Sequence, residues 1–289
     1  MKQEQTRFAP AKLNLTLDIL RRRSDGYHDL QMVMQSISLR DTVTVRTGTG
    51  GDGIAVATDR LDLPGGPKNI AWQAARAFYE ATGLPNQGTE IFIEKKIPME
   101  AGMAGGSADG AAVLRALQAM LCPDLPDWEL EAIAGSVGSD LPFCVRGGTA
   151  LAEGRGERLT TLPPLPECHI VLCKPDFGIS TPVLFRRVQV ETLTRRPDLA
   201  AMRRALEEKN VPAVAKQLRN VFEDLLAEEE KEIFSIKSLL RQQGALNACM
   251  TGSGTTVFGL FTEKATAQQA EKALKMKYSQ VFLVKPLSN

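Results

Sequence analysis

"KKIPMEAGMAGGSADGAAVLRALQAM", residues 95–120, carries the decision about the fold. A strand-like run reaches Pro98, small residues crowd 101–108, and Ala and Leu then dominate. That composition predicts a helix from Asp109 to about Leu121. Gly102, Gly105 and Gly106 leave backbone N–H groups clear of side chains, and Ser107 stands where a helix N-cap is expected. The unpaired N–H groups of a first helical turn carry about half a positive charge. Strand, glycine loop and helix in that order form an anion cradle that needs no surplus of basic residues. Read alone, the stretch serves equally well as a small-residue loop for close helix packing. It is no Walker A sequence, since it lacks a Gly-Lys-Ser/Thr triplet.

A second glycine cluster, "GTGGDG" at 48–53, fits G-x-G-x-x-G better on paper. A dinucleotide fingerprint requires a helix straight after it, so that the pyrophosphate meets the helix N-terminus. The next residues here, "IAVATDRLDLPGG", are β-branched and then turn-rich. The cluster therefore reads as a hairpin tip between two strands and is rejected as a nucleotide site.

The chain has 289 residues, enough for one large or two ordinary domains. Its 35 basic and 34 acidic residues leave a net charge of +1, so bulk charge argues for neither nucleic acid nor anionic membrane as a partner. Five cysteines without a C-x-x-C pair, and a polar start, "MKQEQTRFAP", predict reduced thiols in a cytoplasmic protein. Two histidines argue against a His-based metal site, and no apolar run reaches membrane-spanning length. No obligate protein partner is evident.

Along the chain, "RFAPAKLNLTLDILRR" (7–22) alternates apolar and polar residues and predicts a strand with one buried face. "SDGYHD" comes next as a turn. A helix is expected over 69–83, with Asn69 as N-cap and Gly83 as stop. The Pro-rich "PPLPE" (163–167) is the boundary candidate, dividing the chain into 1–162 and 163–289. Beyond it come a strand, a helix-rich stretch over 197–243, two strands around a Gly turn, a helix and a last strand. Strands and helices are mixed and several strands adjoin, which predicts an α+β protein of two lobes.

Three spaced motifs, "PAKLNLTL" (10–17), "PMEAGMAGGSADGAA" (98–112) and "MTGSGTTVFGLF" (250–261), resemble in order the signature motifs of the GHMP small-molecule kinases. "RRRSDGYHDLQ" (21–31) and "GSDLPFCVRGGTALAEGRGE" (138–157) resemble one branch of that superfamily. Its members phosphorylate the tertiary 2-hydroxyl of 4-diphosphocytidyl-2-C-methyl-D-erythritol in the non-mevalonate isoprenoid pathway. The resemblance runs from about Pro10 to the last strand and is weakest over 185–243. It implies ATP and Mg²⁺ as cofactors and a small-molecule substrate with a cytidine diphosphate moiety. It also implies a two-lobed fold, with an N-terminal ATP-binding lobe like ribosomal protein S5 domain 2. A ferredoxin-like C-terminal lobe would complete the substrate cleft. A sibling kinase of the homoserine or mevalonate type, or a non-catalytic nucleotide-binding regulator, is the alternative.

The resemblance assigns roles residue by residue. Asp140 matches the catalytic carboxylate that orients the hydroxyl and accepts its proton; by residue type alone it is a turn aspartate. Lys12 matches the lysine that keeps that carboxylate ionised and stabilises the transferred phosphoryl group; by itself it is a solvated strand lysine. Asn14, two residues on and on the same strand face, becomes a substrate hydrogen-bonder. Tyr27 would stack on the cytosine and His28 meet its polar edge, with Thr181 a polar contact and Phe185 a second stacking aromatic. Phe185 is otherwise a plain core residue. Gly102, Ala104, Gly105, Gly106 and Ser107 would bind ATP phosphates, Asn69, Lys95 and Pro98 would lie toward the nucleotide, and Ser107 is the candidate Mg²⁺ ligand. Ala108, where many relatives have a second Ser, withholds one hydroxyl from phosphate or metal.

Overall fold

The computed structural model describes residues 2–60 and 62–288. They form two compact units that interleave along the chain. One takes the residues up to Ala11, Leu39–Ile97 and Ala104–Arg146; the other takes Lys12–Ser38, Pro98–Met103 and Gly147 onward. Two long strands, β1 (Gln3–Arg22) and β2 (His28–Thr47), contribute to both. The division therefore differs from a single cut near "PPLPE", which lies wholly within the second unit.

In the first unit, β2 pairs antiparallel with β4 (Thr89–Glu94), with Thr42 opposite Glu94. On its other edge β4 pairs in parallel with β3 (Ile54–Thr58). The strand order β3-β4-β2 corrects one expectation: "GTGGDG" is not a hairpin tip, because the strands it joins lie on opposite sides of β4. Helix α1 (Ile70–Thr82) begins at Asn69, whose Oδ1 accepts from Ala71 N, and stops at Gly83 with φ +67°, as predicted. It packs against α2 (Gly105–Leu121), where Gly110 leaves no spare room: a Cβ there would lie 3.1 Å from Ile70 and 3.0 Å from Leu141. Leu141 opens α4 (Leu141–Arg146), which succeeds α3 (Asp127–Val137) after a turn at 138–140. Phe78, Val113, Leu114, Leu117, Leu130 and Phe143 fill this core.

In the second unit, the first half of β2 pairs with β5 (Thr149–Gly154), which forms a hairpin with β6 (Arg158–Thr161). Phe143–Arg146, just before the hairpin, belong to α4. A four-stranded antiparallel sheet contains β7 (His169–Lys174). Between that strand and its partners the chain forms α5 (Thr181–Arg186), α6 (Leu199–Glu207) and α7 (Val211–Lys216). A two-residue strand β8 (Arg219–Asn220) then runs parallel to β1, and α8 (Glu232–Gln242) comes after it. The sheet is completed by β9 (Asn247–Met250), β10 (Val257–Phe261) and β11 (Gln280–Val284), with helix α9 (Lys264–Lys275) joining the last two. Its order, β11-β7-β10-β9, is the split β-α-β arrangement of a ferredoxin-like lobe.

Strand β1 departs from the half-buried pattern its alternation predicts. From Ala11 to Ile19 both faces are buried, with Lys12, Asn14, Thr16 and Asp18 each no more than 6% exposed. Buried polar groups require partners, and these have them. Thr16 Oγ1 accepts from Val33 N at 3.1 Å, and Asp18 pairs with Arg196 at 2.6 Å. Alternation identified the strand but could not report that its polar face was also covered.

Candidate active site

In the second unit the buried polar face of β1 is the centre of a hydrogen-bonded cluster. The Lys12 ammonium donates to Asn14 Oδ1 at 2.6 Å and to the carbonyl of Gly102 at 2.9 Å. Lys12 N donates to Met103 O at 3.1 Å, so the small-residue loop is tied to the strand through main chain as well. Asn14 N donates to Thr251 Oγ1 at 2.9 Å, which brings in the turn between β9 and β10.

Glycines make that meeting possible. Gly102 has φ +69° and Gly252 φ +56°, both left-handed. A Cβ on Gly102 would collide with Thr251 O, and one on Gly252 would sit 2.7 Å from Gly102 O. The two turns thus approach backbone to backbone. Asn220 holds the 250–252 segment in place, its Nδ2 donating to Met250 O at 2.9 Å and to Gly252 O at 2.8 Å. Glu223 adds a bond from Met250 N at 2.7 Å. Sequence reasoning missed both residues. They lie in the stretch where motif resemblance is weakest, and a two-residue strand leaves no periodicity to read.

The same turn leads to the aromatic residues. Ser253 Oγ lies 2.6 Å from Thr181 Oγ1, at the first residue of α5. Phe185, near the other end of that short helix, stacks on His28 with centroids 5.3 Å apart and planes 24° from parallel. It is only half-buried, so it is not a plain core Phe. Phe222 meets its edge at 5.0 Å. Burial, and then the positive charge of Arg22, lower the His28 pKa, so the imidazole is neutral at pH 7 and offers one donor and one acceptor. Tyr27 is 52% exposed beside it. Lys12, Asn14, Tyr27, His28, Gly102, Thr181 and Phe185 therefore belong to this unit, together with buried Pro98.

The first unit carries the remaining candidates. Helix α2 starts at Gly105, four residues earlier than predicted, with Ala104 at the N-cap in the left-handed region (φ +57°). Ser107 is therefore the third residue of the helix and not its cap. Glu100, Gly102 and Ala104 all have positive φ, at alternate positions of the loop. Gly105 packs tightly, a Cβ there lying 3.1 Å from Ile97 and 3.5 Å from the Lys95 ammonium.

Lys95 is held by Asp41 and by Asp109, the latter at 2.6 Å, with its side chain 5% exposed. Burial works against that ammonium, but the two carboxylates outweigh it and raise its pKa. Asp41 also accepts from Ile97 N at 2.8 Å. Asp109 has one carboxylate oxygen buried without a hydrogen-bond partner, and burial lifts its pKa to about 7. Asn69 commits both ends of its amide locally, to Ala71 N and, at 2.8 Å, to Pro64 O. Asp140 closes the 138–140 turn, its carbonyl accepting from Cys144 N at 3.1 Å to begin α4.

Comparison with known proteins places the chain in a family. The family model described as the GHMP kinases N terminal domain matches residues 69–148, and the GHMP kinases C terminal model matches 200–280. An enzyme of Clostridium tetani (strain Massachusetts / E88) named 4-diphosphocytidyl-2-C-methyl-D-erythritol kinase is 40% identical over 279 residues, covering 96% of this chain and 99% of its own. A crystal structure of 4-(cytidine 5'-diphospho)-2C-methyl-D-erythritol kinase superposes with a TM-score of 0.83 at 32% identity, over 99% of this chain and 100% of that one. Homoserine kinase from Cytophaga hutchinsonii shares the fold, with a TM-score of 0.75 at 20% identity over 100% of this chain and 96% of its own.

Proposed function

The chain belongs to the GHMP kinase family, and from that premise we propose that it transfers the γ-phosphoryl group of ATP to the 2-hydroxyl of 4-diphosphocytidyl-2-C-methyl-D-erythritol, a step toward isoprenoid precursors. The observation that carries this reading is the continuous chain of contacts in the second unit. It runs from the Lys12–Asn14 pair through Thr251, Ser253 and Thr181 to Phe185 and His28. That connection supports reading Lys12 as the phosphate-side lysine and His28 with Phe185 as the base-side aromatic pair.

In this reading Tyr27, His28 and Phe185 take the cytosine, Thr181 a nearby polar group, and Asn14 the alcohol end. The backbone of Gly102, Ala104, Gly105 and Gly106 receives the phosphates, with Ser107 on the same turn. Asn69, Lys95 and Pro98 shape the nucleotide side. Both side-chain ends of Asn69 and the Lys95 ammonium already have protein partners, so their contribution is to hold α1 and the loop in shape. The substrate hydroxyl oxygen bonds to the γ-phosphorus as the bond to the β,γ-bridging oxygen breaks. ADP departs, and the hydroxyl proton passes to the Asp140 carboxylate. Lys12 stabilises the charge on the transferred group.

Mg²⁺ is the metal this chemistry takes. Among the described residues no cluster of three or more His, Cys, Asp or Glu could hold a metal alone. That suits Mg²⁺, which commonly binds through one or two protein oxygens plus substrate phosphates and water. Ser107 is a hard oxygen donor of that kind. When bound, the ion neutralises phosphate charge.

The test is ADP release by purified protein with ATP, Mg²⁺ and the cytidyl substrate, against homoserine and mevalonate. Activity should be confined to the cytidyl substrate, and Asp140→Asn should lower kcat by about 10²- to 10⁴-fold. Full turnover by that variant would remove Asp140 from the proton-accepting role.

A further inference from the structure

Tyr27 sits in a turn that fixes its backbone and leaves its ring outside. Arg23 N donates to Tyr27 O at 2.8 Å, and Tyr27 N donates to Asp25 Oδ1 at 3.1 Å. Gly26 takes φ +86° to complete the reversal. The residue is nevertheless 52% exposed, so the turn presents its side chain to solvent.

Against that ring lies the guanidinium of Arg155, its carbon 3.8 Å from the ring centroid. The register of β2 against β5 pairs Leu30 with Gly154, so the residue after Gly154 emerges beside the 23–27 turn. The turn that delivers it is as constrained as the one that delivers Tyr27. Gly154 has φ +71°, and a Cβ there would sit 2.6 Å from Glu157 Oε1. The Glu157 carboxylate in turn accepts from Arg155 N at 2.6 Å. Arg155 itself forms no ion pair among the described residues. Asp25, which feels its charge, is paired with Arg23 at 3.0 Å. An exposed arginine with no carboxylate at ion-pair distance among the described residues instead lies over an exposed tyrosine.

A planar guanidinium on one face of an aromatic ring is held by the ring's quadrupole and covers that face. It restricts the ring and occupies one face only, so that any stacking on a ligand falls to the other. Ordering the ring before a ligand arrives removes part of the entropic cost of binding. We infer that Arg155 is a positioning residue for base recognition: it backs the Tyr27 ring and presents the free face for stacking on a pyrimidine. This rests on the reading of Tyr27 as the cytosine-stacking residue.

Arg155→Ala and Arg155→Lys, with Tyr27→Ala as reference, test it by calorimetric binding of cytidine and of CDP and by steady-state kinetics. Arg155→Ala should weaken cytidine and CDP alike by about two- to five-fold, the factor an exposed cation–π contact is worth. KM for the cytidyl substrate should rise by the same factor, with kcat and KM for ATP unchanged. Arg155→Lys should fall between, because an ammonium keeps the charge but not the flat stack. Unchanged affinities overturn the proposal. So does a loss confined to CDP with cytidine unaffected, which would make the guanidinium a phosphate ligand. If Tyr27→Ala leaves both affinities intact, the reading of Tyr27 fails first and takes this proposal with it.

Discussion

Gly102 shows how much one missing Cβ can decide. Its left-handed φ and its position against the backbone of Thr251 leave no room for any side chain. Replacing it by Ala must either move the β9–β10 turn or displace the Lys12 acceptor at its carbonyl. Gly102→Ala should therefore destabilise the protein by about 2 kcal/mol or more, from left-handed strain together with a backbone clash. Thermal unfolding would read that loss, and ADP release should fall with it. A variant with wild-type melting and turnover would mean that the two turns move apart freely. Ala104 is the contrasting case, a residue with a Cβ already accommodated at φ +57°. Alanine there keeps the N–H groups of the loop available, at the expense of some strain. Gly102 was legible in the sequence as a loop glycine, but its partner was not, since Thr251 is far away along the chain.

At the scale of elements, α2 carries the small-residue stretch into the core of the first unit. Its second turn carries Asp109, buried against Lys95, with its pKa lifted to about 7 by burial against an ordinary 3.8. Between those two pH values the folded protein binds more protons at this position than the unfolded chain does. Its contribution to stability is therefore complete below about pH 4 and is lost as pH rises through 7. Asp109→Asn removes that titration while keeping an oxygen toward Lys95. Relative to the variant, wild type should lose stability from pH 5 to pH 8, by at most about 1.4 kcal/mol per pH unit. Urea melts across that range would show it, and a difference independent of pH would sink the idea. The helix itself was plain from its Ala and Leu content. Its start lies four residues before the expected one because a left-handed alanine cap has no side-chain signature, whereas Ser107 has the look of one. "GTGGDG" misleads for a related reason. Local composition announces a turn, but which strand pairs with which is decided across the sheet.

On the scale of the whole molecule, Asn220 couples two sheets within the second unit. It belongs to β8, paired with β1, and donates to the carbonyls that end β9 and open the turn after it. Asn220→Ala would take the amide donor from two buried carbonyls, leaving Met250 O only the weak Cys249 Sγ donor at 3.5 Å, so a loss of about 1–3 kcal/mol is expected in denaturant unfolding. A change below about 0.5 kcal/mol, the scale of an ordinary surface substitution, would show that the turn holds itself. No helix among the described residues is long and apolar enough to cross a membrane. The five cysteines form no disulfide. What the sequence by itself determined is the order of motifs, the mixed α+β class, the principal helices and strands, and through resemblance the family. These are set by local propensity, periodicity and short spacings, all of which act within a few residues. The tertiary structure decided which polar residues of β1 are buried and what satisfies them, and that the compact units interleave. It also decided that Gly102 closes on "TGSGTT", and that Arg155 lies over Tyr27. Those outcomes depend on pairing and burial between residues far apart in the chain, and neither composition nor periodicity encodes a partner.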